Sequence, residues 1–114
     1  MLPPQRLPYQ ASIDRPPLTL PDGARIAVFL VVNVEAWDIA RAMPRQVLSA
    51  PQGAPVLPDV PNWAWHEYGM RVGFWRLKAA LDAHGIAPTL AINGAVPAAY
   101  PRVAAAAREA GWEF

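Results

Sequence analysis

The chain has 114 residues, 54% of them apolar and 17% charged, with a formal net charge of +1 and no cysteine. That length carries one small domain with a core of its own, and the composition excludes a disordered or highly charged tail. Scattered basic residues argue against nucleic acid, and the lack of cysteine excludes disulfides and thiolate metal sites. No apolar run reaches the roughly 20 residues of a membrane span. Met1-Leu-Pro-Pro-Gln-Arg6 lacks the apolar core of a signal peptide, so the expected location is cytoplasmic.

The 14 prolines cluster, with six from Pro3 to Pro21 and five from Pro44 to Pro61. Proline fixes φ and removes a donor, so both zones are extended arms or loops. Residues 1–21 are therefore a Pro-rich arm. Leu2, Leu7, Tyr9, Ile13, Leu18 and Leu20 favour docking on a surface over a disordered leader. The turn Pro21-Asp22-Gly23 leads into a strand from about Arg25 to Val32. Its continuous apolar run predicts burial on both faces, as in parallel sheets.

Residues 36–61 read as a long loop, packed through Trp37, Met43 and Val47. Asn62 is placed to cap a short helical turn over Trp63–Tyr68, which Gly69 interrupts. Met70–His84 is the clearest helix, with Phe74, Leu77 and Leu81 on one face. Gly85 is its natural stop. Ile86–Asn93 reads as a second buried strand. Pro97–Ala110 reads as one further helix, and Trp112-Glu-Phe114 as the opening of a third strand. Alternating strands and helices imply parallel pairing through crossovers. A sheet of this size would have poorly covered faces. That predicts self-association or instability, and a homo-oligomer in a full-length form.

The candidate site lies where the first strand ends. Asn33, Glu35, Trp37 and Asp38 follow the apolar run, at the strand end where α/β folds place their sites. A carboxylate there is costly unless solvated, paired or used, and Glu35 is the leading catalytic candidate. Asn33 and Asn93, at matching strand ends, offer amides suited to a ureide or acetamide group. Arg71 suits a developing oxyanion or substrate carboxylate, and otherwise an ion pair with Glu67 four residues before it. Trp37, Trp63 and Trp65 are candidate pocket walls, each more simply read as packing. Asp38 reads as a loop cap, and Trp112 and Tyr100 as core.

Several short blocks together resemble the polysaccharide deacetylase superfamily, nearest its allantoinase-like branch. They are Gly23-Ala-Arg-Ile-Ala-Val28, Val32-Asn-Val-Glu35, Glu67-Tyr-Gly-Met-Arg-Val-Gly73, Pro88-Thr-Leu-Ala-Ile-Asn93 and Ala110-Gly-Trp-Glu-Phe114. The resemblance implies that residues 22–114 are the N-terminal part of a distorted (β/α) barrel. It implies hydrolysis of a non-peptide carbon–nitrogen bond in a small amide, ureide or N-acetylated carbohydrate.

Metal-dependent members of that family end the first strand in an aspartate pair, one a base and one a metal ligand. Here Asn33 and Glu35 stand in that place. An asparagine amide does not titrate and cannot be a base, whereas Glu35 remains a competent ligand for zinc. The family's histidine-rich segment would follow Phe114, and His66 and His84 do not replace it. The implied cofactor is therefore either none, or a divalent metal such as zinc if histidines lie beyond Phe114. The expected partner is a small-molecule substrate, and the 114 residues alone are expected to be inactive. The rival expectation is a non-catalytic interaction or regulatory domain that has kept the barrel's first units.

Overall fold

The structure is a computed structural model and describes residues 8–50 and 53–114. Leu2 and Leu7, two of the expected arm anchors, lie outside the described residues. Strand β1 (Val31–Val34) pairs in parallel with β2 (Thr89–Ile92), in a register running from Val31 with Thr89 to Val34 with Ile92. On the other edge of β2, Glu113 bridges to Thr89 in parallel, and the Leu90 amide donates to the Glu113 carbonyl at 2.7 Å. The fold is thus mixed α/β around a small parallel sheet.

The crossover from β1 to β2 holds a long loop and then one helical rod. The rod comprises α1 (Val60–Tyr68), a π turn (Gly69–Gly73) and α2 (Phe74–Ala83). Gly69 does not interrupt it. Its φ of −56° and ψ of −46° are ordinary right-handed helix. A helix-interior glycine costs roughly 0.5–1 kcal/mol relative to alanine. Here that cost is outweighed by a buried ridge at four-residue spacing, Asn62, His66, Met70 and Phe74.

The cap of α1 is Asp59 rather than Asn62. Its carboxylate accepts from the Asn62 amide N–H at 3.2 Å, while Pro61 occupies the first turn. Asn62 faces inward instead. It accepts from the Val47 and Leu48 amides at 2.7 and 2.8 Å and donates to the Leu48 carbonyl at 3.0 Å. One buried amide thereby ties the long loop to the start of the rod. The stop at Gly85 is as expected. With φ of 64° it closes a Schellman motif, in which Ile86 N–H donates to Leu81 and Gly85 N–H to Asp82.

The expected single helix over Pro97–Ala110 is two, α3 (Val96–Ala99) and α4 (Pro101–Glu109). Proline disfavours the right-handed helical region for the residue before it. Tyr100 accordingly sits at φ −134° and ψ 63°, turning the chain between the two helices.

Burial alternates along both strands. Val34 and Leu90 are buried and Val32 and Ile92 partly so, while Asn33 and Ala91 are exposed. The covered face packs on Met70, Phe74 and Leu81 from the rod and on Val103 and Ala107 from α4. Trp112 closes the cluster against Phe74 with ring centroids 5.7 Å apart. The expectation of a strand buried on both faces is therefore corrected, because helices cover one face only. The apolar run is also longer than the strand. Ile26, Val28 and Phe29 precede β1 outside any regular element and are exposed.

The docked arm is corrected as well. Tyr9, Ile13 and Leu18 are each about nine-tenths exposed. A proline-broken segment has few amide donors with which to join a sheet edge. Among the described residues no helix is long and apolar enough to cross a membrane.

The exposed run ahead of β1 generates a prediction. Contiguous apolar surface of this kind drives association. The chain should elute ahead of its monomer position in size-exclusion chromatography, and Phe29→Lys should move it towards that position. A wild-type chain that runs as a monomer at all concentrations would refute this.

Candidate active site

The site grows from the point where β1 ends. Beyond Val34 the backbone leaves the sheet, and two side chains from other elements hold its exit. Asn93, just past β2, accepts from the Ala36 amide and donates to the Ala36 carbonyl, both at 3.2 Å. A side-chain amide carries one acceptor and two donors, so Asn93 imitates one more rung of the parallel ladder. The second holder is His66 on α1, whose Nε2 lies 2.6 Å from the Glu35 carbonyl oxygen. A carbonyl only accepts, so that nitrogen carries the proton. Nδ1 is buried and has no hydrogen-bond partner among the described residues.

Glu35 itself is exposed, and Trp37 Nε1 donates to its Oε2 at 2.8 Å. The Trp37 ring then stacks on His66, with centroids 4.4 Å apart and planes 17° from parallel. Three residues thus form a closed circuit: carboxylate to indole, indole to imidazole, imidazole back to the backbone of the carboxylate's own residue. Trp37 acts on Glu35 as a donor and orients one oxygen. The other oxygen is left without a partner among the described residues.

This circuit borders a cavity of about 720 Å³ between the end of β1 and the rod. Asn33, Glu35 and Trp37 line it, as does Trp65, and the rod contributes His66, Gly69 and Gly73. A smaller depression between α2 and α4 holds Lys78 and Asp82, which pair with each other at 2.6 Å.

Other candidates are placed elsewhere. Asn93 spends its amide on Ala36 and does not line the cavity. Arg71 is also away from it, donating from Nε to Glu67 at 2.8 Å with its side chain 71% exposed. Asp38 forms a turn, accepting from the Ala40 amide at 2.9 Å. Trp63 is half-buried outside the cavity, and His84 is exposed at the end of α2. Among the described residues no three of His, Cys, Asp and Glu converge where a metal ion could be held. The groups present among the described residues do not fit a zinc site.

His66 is the residue that sequence reasoning missed. Its signal is the ridge Asn62, His66, Met70, Phe74, visible only if the helix runs unbroken through Gly69. Tyr100 was also more than packing, because its hydroxyl donates to the buried carboxylate of Glu67. Burial pushes Glu67 up, but its bonds to Tyr100 and Arg71, with the charges of Arg71 and His66, bring it below the ordinary carboxyl value. Burial, then the bond to Glu67 and its charge, push Tyr100 up to about 12.

No protein-family model, no curated protein and no solved structure matches the chain.

The Glu67 cluster predicts how stability varies with pH. Its lowered carboxyl favours folding above the ordinary carboxylate range, and that contribution is lost as pH falls through the lowered value. The raised Tyr100 hydroxyl contributes below pH 10.0 and is lost as pH climbs towards about 12. Tyr100→Phe should cost about 1–3 kcal/mol in urea unfolding at neutral pH, because a buried carboxylate loses a donor. It should also abolish the alkaline loss. Arg71→Ala should cost less than that, because its side chain is exposed and water can take its place on the Glu67 carboxylate. Equal costs for the two variants would contradict this ranking.

Proposed function

We propose that the chain is the first part of a (β/α) barrel of the polysaccharide deacetylase type. In this reading the cavity at the end of β1 is part of a site that hydrolyses a non-peptide carbon–nitrogen bond. The substrate is a small amide, ureide or N-acetylated carbohydrate. The observation carrying this is the Glu35–Trp37–His66 circuit, an oriented carboxylate at a parallel-strand end above a cavity large enough for a small ligand. The one-sided cover of the sheet is in keeping with it, since a barrel strand turns one face to helices and the other inward.

In this site Glu35 is the proton-transfer group. Water adds to the substrate carbonyl carbon as its proton passes to the free carboxylate oxygen. The carbon–nitrogen bond then breaks, and the proton moves from Glu35 to the departing nitrogen. Trp37 holds the other oxygen. His66 is a positioning residue, because its Nε2 proton is committed to the Glu35 carbonyl. Asn33, which borders the cavity, offers its amide to the substrate's polar atoms.

A second reading has its own observation. Where the resemblance expects a titrating aspartate, Asn33 has none to offer, which favours a domain that binds without turning over. Both are tested by ring opening of hydantoin and acetate release from N-acetylglucosamine, measured on the protein in its full-length form. Glu35→Gln should lower kcat by about 10²–10⁴-fold while changing KM little. Full activity in that variant would remove Glu35 from the chemistry. Saturable binding without turnover in the wild type would favour the second reading.

A further inference from the structure

Arg45 lies on the long loop between β1 and the rod, and anchors on both sides give it a fixed place. Before it, Met43 is buried, and Pro44 fixes the backbone between the two. After it, the Val47 and Leu48 amides donate to the side chain of buried Asn62 at 2.7 and 2.8 Å. Asn62 is held in turn by Asp59, also buried, which accepts from its Nδ2 at 2.8 Å. Buried polar groups are costly unless bonded. Here a buried acid and a buried amide are committed to holding a stretch of exposed loop.

That stretch borders the cavity. Pro44 and Arg45 line it together with Glu35. Among the described residues the ion pairs are Arg41 with Asp38, Arg71 with Glu67 and Lys78 with Asp82. Arg45 therefore has none, and it does not close onto Glu35. Of the described residues lining the cavity, Arg45 alone is permanently cationic and Glu35 alone is a carboxylate. Opposite charges that share a cavity without pairing leave each available to a ligand. A volume of about 720 Å³ lets one small molecule reach both.

We propose that Arg45 is the specificity-determining residue of the site, and that the substrate is an amide or ureide carrying a carboxylate. The guanidinium fork matches a carboxylate in geometry as well as charge. With the carboxylate on Arg45, the carbon–nitrogen bond lies towards Glu35. The reverse orientation sets two negative charges together and is repelled. This rests on the reading of the cavity as a small-amide site. It adds the charge of the substrate and the end by which it is held.

The test uses the full chain and two matched ureides, N-carbamoylglycine and its neutral amide, N-carbamoylglycinamide. Binding is followed by the NMR shift of the Trp37 indole N–H. The wild type should bind the carboxylate form roughly 10-fold more tightly, as one charge-assisted bond allows. Added salt should shrink that preference. Arg45→Gln should abolish it, and Arg45→Lys should keep part of it, because an ammonium retains the charge without the fork. Equal binding of the two probes by the wild type, or a preference that survives Arg45→Gln, overturns the role of Arg45 and leaves the cavity reading standing. Equal weakening of both probes in Arg45→Gln also overturns it, because Arg45 would then serve the shape of the cavity. No binding of either probe by the wild type overturns both.

Discussion

The bond from His66 to the Glu35 carbonyl fixes the relation between the sheet and the rod at the point where β1 leaves the sheet. Parallel strands need a long crossover, and a long crossover leaves the strand exit free to wander. Here 31 positions separate the two partners of this bond. Because the acceptor is main chain, the side chain of Glu35 remains available. The indole of Trp37 then completes the restraint by fixing both the imidazole plane and one carboxylate oxygen.

A buried acid, Glu67, organises a second junction of the helical layer. Pro101 favours the non-helical geometry of Tyr100, whose side chain reaches Glu67 on α1. Glu67 and His66 are adjacent in sequence, so one turn of α1 carries both connections. His66 grips the exit of β1, and Glu67 grips the junction of α3 and α4. A buried carboxylate is costly alone, and its tyrosine and arginine donors make its position tolerable.

The parallel pair, the stop at Gly85 and, of the rod's expected face, Phe74 and Leu81 were legible, because each depends on local periodicity or local backbone chemistry; Leu77, expected beside them, is exposed. The unbroken rod was not legible. Gly69 argues locally for a break, while the burial of Asn62, His66 and Met70 argues for continuity, and burial becomes visible only when the helix meets β1. The break at Tyr100 was readable from Pro101, yet Pro97 offered a competing helix start. Of the site, Glu35, Asn33 and Trp37 were legible because strand ends gather polar groups. Asn93 was legible as a strand-end amide, but its partner, the Ala36 backbone, depends on strand register. Arg71 followed its local i,i+4 partner.

The amide of Asn93 has a chemical consequence for measurements on this protein. It does not ionise, so the rung it adds beyond the strands is indifferent to acid and base. The Nε2–H of His66 is present in both the neutral and the charged imidazole, so that restraint survives a change of protonation too. Both clamps on the exit of β1 therefore keep their donors and acceptors across the working range of pH. A signal that changes with pH in that range therefore reports proton movement at other groups rather than a loosening of these two clamps.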